Sequence, residues 1–282
     1  MLSVKSENGL ACRSRGFTSF LIFAFWILLC SPLVVARSSF ATTTNDPDTA
    51  EREGRELARQ LCELRPETNL TNTGKLVLRF PKKPRQEIPF SSRIELAETS
   101  WTVVYEANSG TNPPATFSVE HRPDAPNRYY LAGLRRAEAA GNAPGENSGA
   151  AKAGTTALPN DQTMTPFAGS DFWLADLGLE FFHWPAQRLC KREMRRGKSC
   201  QVLESRRPET WFTGYARVIS WIHTESGAVV QAEAYDARGK LLKEFRPTAV
   251  EKVNSAWQLK EMEIENVQAG SRTTLVFDLQ PE

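Results

Sequence analysis

The chain is poor in the residues that carry most enzyme chemistry. Its three histidines, His121, His183 and His223, are scattered over 282 residues. None stands at metal-ligand spacing from another histidine or from a cysteine pair. HExxH, GxSxG, SxxK, GxxxxGK(S/T) and GxGxxG are absent, which removes the commonest sequence signs of zinc hydrolysis, acyl transfer and nucleotide binding. Cysteine is scarce, with five residues and no CxxC pair, so a disulfide-dense mini-protein is excluded. A charge excess is also missing. The chain holds 35 Lys+Arg against 33 Asp+Glu, and Lys5, Arg13, Arg15 and Glu7 all precede residue 37. The remainder is balanced at 32 of each sign, which gives it no electrostatic preference for nucleic acid. A single apolar run approaches membrane length, which excludes a polytopic membrane protein. These absences lead to the expectation of a non-enzyme with no cofactor and no metal.

What is present begins with the leader. Basic residues precede the apolar stretch Phe20–Cys30, Pro32 breaks any helix, and Val34-Val35-Ala36 places small or modest residues before Arg37. That order is a secretory signal peptide over residues 1–36, with cleavage after Ala36 and export of the mature chain. The apolar core falls short of the roughly 20 residues of a membrane span. A retained N-terminal anchor stands as the alternative reading. Bulky Leu29 argues against lipidation at Cys30.

Export leaves Cys62, Cys190 and Cys200 in an oxidising compartment. Cys190 and Cys200 flank the turn at Arg196-Gly197 and are candidates for a bridge across a hairpin, although a two-residue turn there would pair Cys200 with Glu193 instead. Cys62 falls on the apolar stripe of a predicted helix and reads as a buried free thiol.

Residues 37–47 are polar and turn-rich, a linker. Asp48–Leu64 has helical periodicity, with Asp48 and Glu51 in a capping-box pattern. The period then changes to that of strands, at Lys75–Phe80, Ser92–Ala97, Trp101–Ala107, Thr116–Glu120 and Arg128–Leu134. Together 48–134 form an N-terminal helix and the first strands. Residues 135–166 read as a flexible insertion, since 137–165 hold eight Ala, four Gly and no aromatic residue and bury too little to offset their ordering entropy. From 167 to 282 a covering helix precedes a meander. The helix is apolar from Phe172 to Phe182, with Asp171, Asp176 and Glu180 as a narrow polar edge, and Pro185 stops it. Seven strands follow, with turns at Arg196-Gly197, Ser226-Gly227, Arg238-Gly239 and Ala269-Gly270. The predicted fold is mainly β with covering helices, a large curved antiparallel sheet.

Phe172, Trp173, Leu177 and Phe181 are candidates for a lid over an apolar cavity, with Trp221 as their counterpart on the sheet, and plain core is the alternative reading of each. Val230, Ala232 and Ala234 form a face of small residues that either leaves room for a ligand or accommodates the covering helix. Glu261, Glu263 and Glu265 alternate along one strand and read as a solvated face. The basic run Lys191, Arg192, Arg195, Arg196 and Lys198 reads as a soluble hairpin tip, with anionic head groups or an acidic partner as the alternative.

Several stretches taken in order resemble the outer-membrane lipoprotein-sorting family, the LolA-like carriers of the bacterial periplasm. They are Gly169-Ser-Asp-Phe-Trp-Leu-Ala-Asp-Leu177, Cys200-Gln-Val-Leu-Glu204, Tyr215-Ala-Arg-Val-Ile-Ser-Trp-Ile222, Ala232-Glu-Ala-Tyr-Asp-Ala-Arg-Gly-Lys-Leu-Leu-Lys243, Trp257-Gln-Leu-Lys-Glu-Met-Glu-Ile264 and Gly270-Ser-Arg-Thr-Thr-Leu-Val-Phe-Asp278. The resemblance implies an unclosed antiparallel barrel with a helical lid. It implies a monomeric carrier of acylated lipoproteins between an inner-membrane release complex and an outer-membrane receptor. A lipid- or lipoprotein-sensing interaction module on the same fold is the other function class it leaves open. The family has no catalytic residues to carry over.

Overall fold

The computed structural model describes residues 46–110, 115–132, 155–159, 162–207, 214–253 and 256–279. The leader with its cleavage site after Ala36, residues 37–45 of the linker and most of the insertion lie outside these.

Helix α1, Pro47–Glu63, opens on Asp46, whose carboxylate accepts from the Thr49 amide at 3.2 Å and the Thr49 hydroxyl at 2.6 Å. The cap is therefore Asp46 with Pro47 in the first turn, not the Asp48–Glu51 box. Thirteen strands follow: β1 Leu70–Arg79, β2 Gln86–Leu96, β3 Trp101–Ala107, β4 Ala115–Arg122, β5 Ala125–Ala132 and β6 Thr155–Leu158. Then come β7 Ala186–Arg195, β8 Lys198–Arg206, β9 Arg217–His223, β10 Val229–Tyr235, β11 Leu241–Val253, β12 Ala256–Asn266 and β13 Ser271–Phe277. They make one antiparallel sheet in the order β6-β5-β4-β3-β2-β1-β13-β12-β11-β10-β9-β8-β7. The two edges, β6 and β7, do not pair, so the barrel is unclosed. Strand β6 lies inside the stretch expected to be an insertion, where Thr155–Leu158 pairs with Tyr129–Ala132.

Turn chemistry fixes the register. Arg196 and Gly197 both have positive φ, 50° and 76°, the combination a two-residue hairpin turn needs. Arg195 then faces Lys198 and Glu193 faces Cys200. Cys190 sits at the irregularity between Leu189 and Lys191, three residues from the partner of Cys200. The expected Cys190–Cys200 bridge is therefore not formed, and Cys62, Cys190 and Cys200 are free thiols.

Helix α1 covers the β7 edge. Gly54 makes that approach possible, because a Cβ there would lie 2.6 Å from the Arg188 backbone. Leu57 and Ala58 enter the main core, with Leu61 and Cys62 packed beside it. That core runs along the concave face of the sheet, from Phe90, Tyr105 and Phe117 on one side to Tyr215 and Phe245 on the other.

Candidate functional site

A separate segment, residues 162–184, lies across this concave face. It is not the continuous helix the sequence suggested. It has one α-turn, α2 at Leu174–Leu177, and a 3-10 turn at Glu180–His183, broken by Leu179 at φ 49°. Ala168 and Gly169 also have positive φ, so the chain doubles back before α2 and Pro166 bridges to Trp173. The break follows from the supposed polar edge. Asp171, Asp176 and Glu180 are all buried, and the breaks let each of them reach a polar partner while the aromatic residues stay in the core.

Each carboxylate has a partner on the sheet or within the cover. Asp171 accepts from the Ser271 hydroxyl at 2.6 Å and the Thr273 hydroxyl at 2.9 Å. Asp176 accepts from the Trp173 amide at 2.7 Å and the Tyr215 hydroxyl at 3.1 Å. Lys243 of β11 is fully buried. Its Nζ donates to the Asp171 carbonyl at 2.6 Å, lies 3.7 Å from Asp176 Oδ2 and stands 3.5 Å over the Trp173 ring. Trp173 in turn stacks on Tyr215 with centroids 4.7 Å apart. Burial pushes the Asp176 carboxyl up to about 6, against the pull of Lys243. Burial brings the Lys243 ammonium down to about 8, against the pull of Asp176. Desolvation thus works against both charges, and their pairing restrains it. Asp176 Oδ1 is buried without a partner. Glu180 is also pushed up by burial and accepts from the Trp184 indole at 3.4 Å.

The rest of the cover is held through its backbone. Tyr105 donates to the Leu177 carbonyl at 3.1 Å and Asn127 to the Gly178 carbonyl at 2.7 Å. Gln187 donates to the carbonyls of Phe181 and Trp184, both at 2.9 Å. Phe167 enters the aromatic group of the first half-sheet, 6.3–6.5 Å from Phe90, Tyr105 and Phe117.

The structure brings four of the five expected lining residues together. Phe172, Leu177 and Phe181 are buried, and Trp173 is partly buried against the same core. Trp221 does not join them. Val218 and Ile222 of β9 point into the main core, so strand alternation sends Trp221 to the convex face with Cys200, Val202 and Val230. There its indole donates to Glu193 and Arg195 stacks over its ring at 4.3 Å. The small-residue face divides in the same way. Ala232 and Ala234 are concave, while a register shift between Val229 and Gln231 turns Val230 outward.

An apolar cleft remains between the cover and β10–β12. Leu179, Phe181, Val229, Ala232, Phe245, Arg246, Pro247 and Met262 line it, and it encloses about 280 Å³ with its open mouth included. In this closed arrangement the free room is that of roughly one water. Ala232 and Ala234 therefore accommodate the cover, and any larger ligand requires the cover to move. The row Glu261, Glu263 and Glu265 is taken up in part by ion pairs with Arg246 and Arg272. Among the described residues no group of three or more His, Cys, Asp or Glu is placed to hold a metal ion, and no helix is long and apolar enough to cross a membrane.

Lys243, Tyr215, Ser271 and Thr273 were missed by sequence reasoning. Lys243 did carry a signal, since it shares strand parity with Phe245, and a lysine on an inward position calls for a buried partner.

Comparison with known proteins agrees with this geometry. A family model described as an uncharacterized protein matches residues 153–279. No curated protein matches. A DUF1329 family protein from Desulfovibrio piger superposes with TM-score 0.62 at 14% identity, covering 81% of this chain and 91% of that one. A domain from Vibrio parahaemolyticus, described as outer-membrane lipoprotein-sorting, gives 0.62 at 18% identity, covering 81% and 92%. A LolA superfamily protein from Nitrosomonas europaea gives 0.52 at 12% identity, covering 82% and 92%. The unclosed antiparallel barrel of this chain is thus the fold of the LolA-like lipoprotein-sorting proteins, as the sequence resemblance implied.

Proposed function

We propose that this protein is a periplasmic carrier that shelters the acyl chains of lipoproteins between its concave sheet and the segment 162–184, and moves them toward the outer membrane. One observation carries the reading: an apolar face of the sheet is closed by a separate segment that a buried polar network fastens at Lys243. Acyl chains gain about 0.8 kcal/mol per methylene removed from water. The cover buries Phe172, Leu174, Leu177, Phe181 and Phe182, at about 1.5–3 kcal/mol each, so the methylenes of about one long acyl chain match the burial lost when it lifts. Without cargo the cover must close, since its exposed rings would otherwise promote association. Entry at the mouth beside Arg246 and Pro247 leads under Phe181 toward Phe172 and Leu177. The role needs no catalysis and no cofactor. Its partners would be acylated lipoproteins, an inner-membrane release complex and an outer-membrane receptor, reached as a monomer through the export leader.

A fluorescent fatty-acid probe tests this. Trp173→Ala and Leu177→Ala are expected to change probe affinity by a larger factor than their loss of stability explains. A fall in stability of about 2–5 kcal/mol with unchanged probe affinity would make both residues plain core. No saturable probe binding by the wild-type protein would defeat the carrier reading and leave a protein-interaction module.

A further inference from the structure

The described residues expose four large apolar side chains: Met194 at 67%, Trp257 at 54%, Val250 at 50% and Val267 at 44%. Three of these gather at one rim of the barrel. Strand β11 pairs with β10 only as far as Phe245, and β12 pairs with β13 only from Glu261 onward. Between those limits β11 and β12 pair only with each other, with Lys252 opposite Trp257 and Val253 opposite Ala256. Among the described residues Thr248–Val253 therefore forms a two-stranded extension with the start of β12, about 20 Å long at about 3.3 Å per residue, packed through Val253, Gln258 and Leu259 and exposed at Val250 and Trp257. Pro247 marks its root. It lies at a register shift, where a missing N–H costs no ladder bond.

The β7–β8 hairpin reaches the same place. Arg196 at its turn donates to the Pro247 carbonyl at 3.1 Å. Met194 is two residues before that turn, opposite Ser199. Residues 191–198 contain five basic side chains and one glutamate, a net of +4 in eight residues; Lys191 pairs with Glu193 and Arg195 with Glu233, and Arg196 and Lys198 stand at the turn itself. Arg246 and Pro247 also line the mouth of the apolar cleft. A cationic turn, an exposed tryptophan on the β11–β12 extension and the cleft mouth thus share one rim.

We propose that this rim docks on an anionic lipid bilayer, with Trp257, Val250 and Met194 at the level of the head groups and the 191–198 turn against their phosphates. Tryptophan suits that depth because its ring is apolar and its N–H is polar. Clustered lysine and arginine supply the attraction to negative lipid. Charge complementarity selects a bilayer over a neutral surface, and the docked pose turns the cleft mouth toward the membrane. The proposal does not depend on acyl chains binding under the cover.

The test is sedimentation with vesicles of phosphatidylglycerol and phosphatidylethanolamine, against vesicles of phosphatidylcholine, at low and at physiological salt. Wild type and variants are compared as recovered from cells, so that residues 1–36 contribute equally to each. The wild type is expected to favour the anionic vesicles and to weaken with salt. Neutralising Arg196→Gln together with Lys198→Gln should reduce partition roughly fivefold per charge. Trp257→Ser should remove the component of fluorescence that brominated lipid quenches, with the melting temperature unchanged because the side chain is exposed. Val267→Ser, at the opposite end of β12 from Trp257, should leave vesicle binding as it is. Equal binding by the wild type and both rim variants overturns the proposal, as does indifference to lipid charge. Binding to an acidic protein surface with no partition on to vesicles also overturns it and assigns the rim to a protein partner.

Discussion

Replacing Lys243 by methionine removes one buried charge and fills nearly the same space. The ammonium lost is fully buried, 3.7 Å from Asp176 Oδ2 and 2.6 Å from the Asp171 carbonyl. Removing one partner of a buried pair typically costs about 3–5 kcal/mol. Here the loss belongs at the lower end, about 3 kcal/mol, because the Asp176 carboxyl already titrates near 6 and escapes by taking a proton. A loss of that size lowers the melting temperature by about 6–12 °C in a chain of this length. If the network fastens the cover, the loss falls on the closed state and raises the open fraction by up to about 100-fold. Apparent affinity for a fluorescent fatty acid should rise by a similar factor. Lys243→Met combined with Asp176→Asn buries no charge and should recover much of the stability, so the two substitutions are strongly coupled. Denaturant unfolding and probe titration on the same four proteins decide the matter. Lower stability with unchanged affinity refutes the fastening role, and simple additivity of the two substitutions refutes the pairing.

Acid should destabilise the fold through two histidines, His121 buried and His183 partly buried. His121, stacked on Trp101 at 5.1 Å, is held down to about 3 by burial, and His183 to about 4. Below the ordinary value of 6.5 the unfolded chain takes up protons that the fold refuses, so stability falls as pH drops. At pH 4.5 each histidine accounts for about 2–3 kcal/mol. Asp176, raised from 3.8 to about 6, acts in the opposite sense, because its folded state holds a proton in that window that the unfolded chain loses. His121→Phe isolates the histidine: its urea midpoint should drop less between pH 7 and pH 4.5 than the wild type's, and an equal drop contradicts the assignment. Among the described thiols, brief alkylation followed by peptide mapping should label Cys190 first. Cys62 is pushed up to about 12 and Cys200 is buried. A peptide linking Cys190 to Cys200 would contradict the observed register.

Most strands were legible because side-chain alternation and glycine turns are local signals. Trp101–Ala107 matches β3 in full, and Arg196-Gly197 sets the β7–β8 register unaided. Strand β6 was hidden, since Thr155–Leu158 has neither alternation nor aromatic residues and forms only against β5. The cover was misread for a tertiary reason. Its spacing fits a helix, yet its carboxylates are matched to Ser271, Thr273, Tyr215 and Lys243, residues 39 to 102 positions away, and those partners bend it at Leu179. Trp221 was placed on the wrong face because parity was not carried along β9 from Val218.

Hydrogen exchange across the cover, with and without a saturating fatty acid, tests the central claim most directly. The account predicts faster exchange confined to residues 167–184 when the acyl chain is bound, with α1 and the strands β1–β3 unchanged. A cover that stays equally protected while the fatty acid is bound would contradict it.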